Sequence, residues 1–187
     1  NVFNYDPDKA RDLLDEAGVT SLDMTLLATD HPWVSALAPQ IQSDLSNVGI
    51  NATLQFEATG SLYPNYTDAD DPDFDVVLAP GDPSVFGPDP DLLMNWWYGD
   101  SVWTHKRTQW YGSEGYEQLH KLLDEAAATS GAEQQKAWNE AFDLLSEEVP
   151  LYPLFHRTLL TGFLADDLQN FNPIGTTGLY FVGVEAK

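Results

Sequence analysis

The stretch that decides the fold runs from residue 22 to residue 57: LDMTLLAT (22–29), DHPWVSALAPQIQSDLSNVG (30–49) and INATLQFE (50–57). In the first segment Leu22, Met24, Leu26 and Ala28 alternate with Asp23, Thr25, Leu27 and Thr29. In the last, Ile50, Ala52, Leu54 and Phe56 alternate with Asn51, Thr53, Gln55 and Glu57. A period of two is the mark of a strand. Between them, over residues 32–48, Val34, Leu37, Ala38, Ile41, Leu45 and Val48 recur at helical spacing, and Gly49 closes the helix. Strand, helix, strand with short joints is a βαβ unit, so the two strands are expected to be parallel with a right-handed crossover.

Upstream, Tyr5 to Gly18 predicts a capped helix: Asp6 can accept from the free amides of the first turn, Pro7 suits the first helical position, and Gly18 suits a left-handed stop. Ala10, Leu13, Leu14 and Ala17 supply one apolar face, expected to be buried. Downstream, residues 59–73 read as a short helix and loop, and residues 74–79 as a third strand ending at Pro80-Gly81. The following stretch to Tyr111 is dense in Pro, Gly and aromatic residues, with one helix starting at Asp89-Pro90. Helices are predicted over 114–128 and 132–148, broken at Ser130-Gly131. Pro150 and Pro153 force residues 149–156 to be extended, as an edge or crossover strand. Leu159–Leu164 and Tyr180–Val184 read as further short strands.

The 187 residues suit one sizeable domain, and with 43% hydrophobic residues the chain folds despite a formal charge of −22. Thirty acidic against eight basic residues speak against nucleic acid or an anionic membrane as partner. Most of the acidity is expected to be solvated surface; attraction of a cationic ligand requires the charge to line a cleft. The absence of cysteine excludes disulfides, thiol catalysis and Cys-type zinc sites. No apolar run approaches the length of a membrane span. His31, His105, His120 and His156 lack metal-ligand spacing, and residues 68–73 depart from a calcium loop because Pro72 occupies a ligand position. No cofactor or metal is expected.

Several motifs occur in the order of a known family. The residues Tyr5-Asp6-Pro7, Lys9-Ala10, Leu13-Leu14 and Ala17-Gly18, then Val48-Gly49-Ile50-Asn51, Asp73-Phe74-Asp75-Val76, Asp89-Pro90, and Glu148 through Phe155 together resemble family 5 of the bacterial extracellular solute-binding proteins, the peptide-binding type. The resemblance implies a periplasmic-binding-protein-like α/β lobe, a mixed sheet with a βαβ core flanked by helices. Residues 1–187 are then the C-terminal lobe, with 1–148 the α/β part and 149–187 strands returning toward the hinge and first lobe. It implies solute binding, of a peptide or oligosaccharide, for import by ABC permease subunits, with no catalysis. It also implies an extracellular or periplasmic location, with the export signal, the membrane anchor and the other lobe on a missing N-terminal part.

For the site, the carboxyl ends of the strands are where open α/β sheets place ligands. Trp33 stands at the end of the first strand and Asp82 just beyond the third, and by position in the resemblance Asp82 would capture a ligand's α-ammonium. Trp96, Trp97, Trp103 and Trp110 crowd into fifteen residues that also hold Tyr98, with Phe86 and Tyr111 nearby. Such rings can stack on planar groups or hold cations over their faces. Trp96 and Trp97 cannot point the same way, so one is expected to face the cleft. The ligand-binding candidates are thus Trp33, Asp82, Phe86, Trp96, Trp97 and Trp103, each of which could instead serve packing or a turn. The alternative is a carbohydrate-binding or glycoside-hydrolysing domain, since Asp82, Asp89 and Asp91 lie near Trp96.

Overall fold

Three parallel strands carry the fold of the computed structural model, which describes residues 3–81, 89–156, 158, 160–173 and 180–186. Helix α1 (Pro7–Glu16) precedes β1 (Leu22–Thr29), α2 (Pro32–Ser46) and β2 (Ile50–Glu57). Then come a short helix α3 (Thr59–Leu62), a π-helical turn at Tyr63–Thr67 and β3 (Val76–Leu78). The sheet order is β2-β1-β3. β1 pairs in parallel with β2 from Leu22↔Ile50 to Thr29↔Glu57, and with β3 at Leu26↔Val76 to Ala28↔Leu78. The alternation at 22–57 therefore makes the expected βαβ unit. The third strand is shorter than the expected 74–79.

One core lies between this sheet and α2. Val34 and Ala38 of the helix meet Leu26, Ala28, Ala52 and Leu78, with Met24, Ile41, Leu45 and Leu54 at its margin. Leu27 and Thr29, on the opposite face by alternation, are also fully buried, so the central strand is covered on both sides as parallel strands require. Burying a leucine such as Leu26 contributes about 1.5–3 kcal/mol.

A second core belongs to helices. After α4 (Pro90–Tyr98) and a second π-helical turn at Trp103–Arg107 come α5 (Glu114–Ala128) and α6 (Gly131–Glu148), packed as the expected hairpin. Leu119, Leu123 and Ala126 of α5 interlock with Ala137, Trp138 and Ala141 of α6, and Met94, Trp110 and Tyr116 extend the cluster toward α4. Ser113 caps α5 by accepting from Tyr116 N–H at 3.0 Å.

Two expectations need correction. Helix α1 is capped as foreseen: Asp6 accepts from Lys9 N–H at 2.9 Å, and Gly18 takes φ +71°. Its apolar face, however, is not buried; Leu13 is 54% exposed, and the helix is tied down by Arg11, which donates to the Asn47 carbonyl beyond α2. Nor do the expected strands at 159–164 and 180–184 form. Residue 159 lies outside the described residues, residues 160–164 make no ladder, and residues 180–184 run into a turn. The only ladder described there is the antiparallel pair β4 (Leu168–Gln169) and β5 (Glu185–Ala186), separate from the parallel sheet. Residues 149–156 lie outside any described ladder too. A strand exists only where a second backbone accepts its hydrogen bonds, and alternation alone cannot supply that partner.

Candidate functional site at the carboxyl edge of the sheet

Parallel pairing sends the C-terminal ends of β1, β2 and β3 to one edge, where Thr29, Glu57 and Leu78 close their strands. Asp30 N–H donates to the Glu57 carbonyl at 3.0 Å, extending the ladder one residue past β1. The Glu57 carboxylate accepts from the Tyr66 hydroxyl at 2.6 Å and from Gln55 Nε2 at 3.1 Å, and these bonds lower its pKa. Glu57 is therefore an anion at this edge. Beside it in register, the fully buried Thr29 hydroxyl has no hydrogen-bond partner among the described residues. The sequence reading missed Glu57 and Thr29 because both fall on the polar half of an alternating pattern, where a side chain at a strand end looks like any other.

An aromatic wall rises next to β3. Trp97, on α4, lies against Gly81, three residues beyond the strand: a Cβ on that glycine would come within 2.9 Å of the indole Cη2. Trp97 packs on Trp103 with ring centroids 4.1 Å apart and planes at 54°. The Arg107 guanidinium then sits between two rings, 4.3 Å from the centroids of both Trp103 and Tyr63. Its Nε and Nη2 donate to the two carboxylate oxygens of Asp68 at 2.7 Å each, which holds that carboxyl below its ordinary range. Lys106 Nζ fastens the same loop by donating to the carbonyls of Asp68 and Ala69.

The six candidates separate as follows. Trp97 and Trp103 stand together in this wall. Trp96 is on the same helix but 53% exposed, while Trp97 is half-buried, so the neighbouring rings do diverge. Trp33 packs on the sheet core at the start of α2 and meets Phe155 edge-on at 5.5 Å, bringing the segment after α6 to the end of β1. Asp82 and Phe86 lie outside the described residues. Trp110 belongs to the helical core, with Tyr98 and Tyr116 against it. Burial pushes the Tyr98 hydroxyl up to about 12.

The carboxylates near Trp96 are engaged in local structure. Asp89 caps α4 by accepting from Asp91 N–H at 3.0 Å, and Asp91 accepts from Asn95 Nδ2 at 3.0 Å. A pair of acids facing a sugar across a cleft is therefore not formed by these two. Among the described residues no group of three or more His, Asp or Glu could hold a metal ion, and no helix is long and apolar enough to cross a membrane.

Comparison with known proteins agrees with this architecture. Residues 1–105 match the family described as bacterial extracellular solute-binding proteins, family 5 Middle. The chain is 28% identical over 189 residues to Di/tripeptide-binding protein 1 of Pseudomonas aeruginosa (strain UCBPP-PA14), covering 96% of this chain and 34% of that protein. It is 29% identical over 165 residues to the Dipeptide-binding protein of strain PAO1, covering 83% of this chain and 29% of the relative. It thus spans about a third of the length of these relatives. Among solved structures, the ABC transporter substrate binding protein CtaP of Listeria monocytogenes superposes with a TM-score of 0.68 at 20% identity, over 82% of this chain and 30% of that one. The NikA protein of Staphylococcus aureus, in complex with Ni(L-His)2, gives 0.62 at 20% identity, over 78% of this chain and 30% of that one. With a matching family model over more than half its length and the same fold in these structures, the chain belongs to family 5 of the bacterial extracellular solute-binding proteins.

Proposed function

We propose that this chain is the C-terminal lobe of an extracellular solute-binding protein that encloses a small peptide and delivers it to ABC permease subunits. The observation that carries this reading is the convergence at one sheet edge of an ionised Glu57, the strand ends and the Trp97–Trp103 wall. Such an edge offers hydrogen-bonding backbone, an anion for a ligand ammonium and flat apolar surface for a side chain. The name of the relative that aligns over 96% of the chain supports a peptide over an oligosaccharide. Nothing in this arrangement calls for a bond to be made or broken; the work is selective burial, completed when a second lobe closes by a hinge.

The described residues after α6, which form only the short β4–β5 ladder, fit the same reading as the part of the chain that turns toward that second lobe. Tyr152, Phe155, Leu160, Leu164 and Phe181 are all more than half exposed here, apolar surface that a neighbouring lobe would cover. The family's extracellular placement suits this role, with an anchor and export signal on the N-terminal part of the longer protein.

The test is calorimetric titration of the full-length protein with L-alanyl-L-phenylalanine and with maltotriose. Binding of the dipeptide and none of the trisaccharide is expected. Binding of the trisaccharide alone, or turnover of chromogenic glycosides, would sink the proposal.

A further inference from the structure

Arg107 makes the most buried of the ion pairs described; Lys106–Asp70, which reaches the same loop, is exposed. The pairs Arg11–Asp8 and Lys136–Glu140 are exposed and join residues three or four apart on one helix, where such contacts contribute little. Arg107 reaches back 39 residues to Asp68, with side-chain exposures of 15% and 25%, and both of its carboxylate bonds are 2.7 Å. Its planar cation is also clamped between Tyr63 and Trp103. A guanidinium combines a two-pronged bond to a carboxylate with stacking on a ring; an ammonium does neither. The Arg107 guanidinium thus lies directly against the Trp103 ring. Trp103 in turn backs Trp97, and Trp97 lies on Gly81 at the exit of β3.

We propose that Arg107 is a positioning residue for the ligand wall: through Trp103 it holds the Trp97 indole over the exit of β3. This rests on the reading of the carboxyl edge as the ligand site. Because Asp68 takes up its charge, Arg107 shapes the wall without offering a cation to a ligand carboxylate. The wall that results is apolar, suited to a flat or aliphatic ligand side chain.

The experiment compares full-length wild type with Arg107→Lys, Asp68→Asn and Leu119→Ala, the last a truncation in the distant α5–α6 core. Two indoles this close give an exciton couplet in circular dichroism, and titration with L-alanyl-L-phenylalanine reads the site. Arg107→Lys is expected to lose most of the couplet and to raise the dissociation constant about tenfold. Asp68→Asn should move both in the same direction, and Leu119→Ala should lower the melting temperature while leaving both unchanged. The proposal is overturned if Arg107→Lys keeps the couplet, or if Leu119→Ala removes it equally. Should wild type bind no dipeptide, the functional reading fails, while the couplet still decides whether Arg107 positions the rings.

Discussion

At the scale of single residues, Asp68 shows how one contact carries both stability and geometry. Its ordinary pKa of 3.8 is lowered in the fold, first of all by the hydrogen bonds from Arg107. A carboxyl with a depressed folded pKa stabilises the protein at pH values above its unfolded pKa, and that contribution disappears as the pH falls through the folded value. Asp68→Asn is therefore expected to cost about 2 kcal/mol near neutrality, since a charged hydrogen-bond partner is removed from a half-buried cation. The gap between variant and wild type should stay constant from pH 7 down to about pH 5 and close as the pH drops below 3.8, read from urea unfolding at each pH. A gap that is unchanged in acid would mean the ion pair contributes nothing. None of this was legible in the sequence: Asp68 is one of four acids between residues 68 and 73, and Arg107 follows His105 and Lys106 in a short basic run. Only the fold selects which acid meets which base.

Among the elements, legibility followed locality. Helices α2, α4, α5 and the βαβ unit were readable because caps and apolar spacing act within a few residues. Helix α1 was readable as a helix but not in its surroundings, since its stripe does not say what will face it. This yields a contrast that hydrogen exchange can measure. Gly18 adopts φ +71° with nothing within 4 Å of a would-be Cβ, so Gly18→Ala costs only the left-handed backbone strain, about 1 kcal/mol. Because α1 contributes no buried residue, that cost should appear as faster exchange within residues 7–16 and leave the global melting temperature nearly unchanged. Leu119→Ala, in the middle of α5 with no exposed surface, should instead cost about 2–5 kcal/mol and lower the whole transition. Equal global effects from both variants would show α1 packed more firmly than its exposure indicates.

At the scale of the whole molecule, two cores, one under the sheet and one between α5 and α6, make the chain able to fold, yet the candidate site is an edge and not an enclosure. On the proposed two-lobe reading, this edge buries only part of a ligand. If that reading holds, the 187-residue chain alone is expected to bind L-alanyl-L-phenylalanine at least about a hundredfold more weakly than the full-length protein, because the contributions of a second wall would be lost. Calorimetry on both proteins checks this, and equal affinities would place the whole site on this lobe. The amino-acid sequence by itself determined the main helices and the parallel βαβ unit, because hydrophobic period, capping and crossover handedness are local rules. The tertiary structure alone decided that Trp97 and Trp103 pack together beside β3 and that Arg107 pairs with Asp68 against the Trp103 ring. Those outcomes depend on residues up to 39 positions apart being brought within hydrogen-bond or ring-stacking distance, which no local pattern encodes.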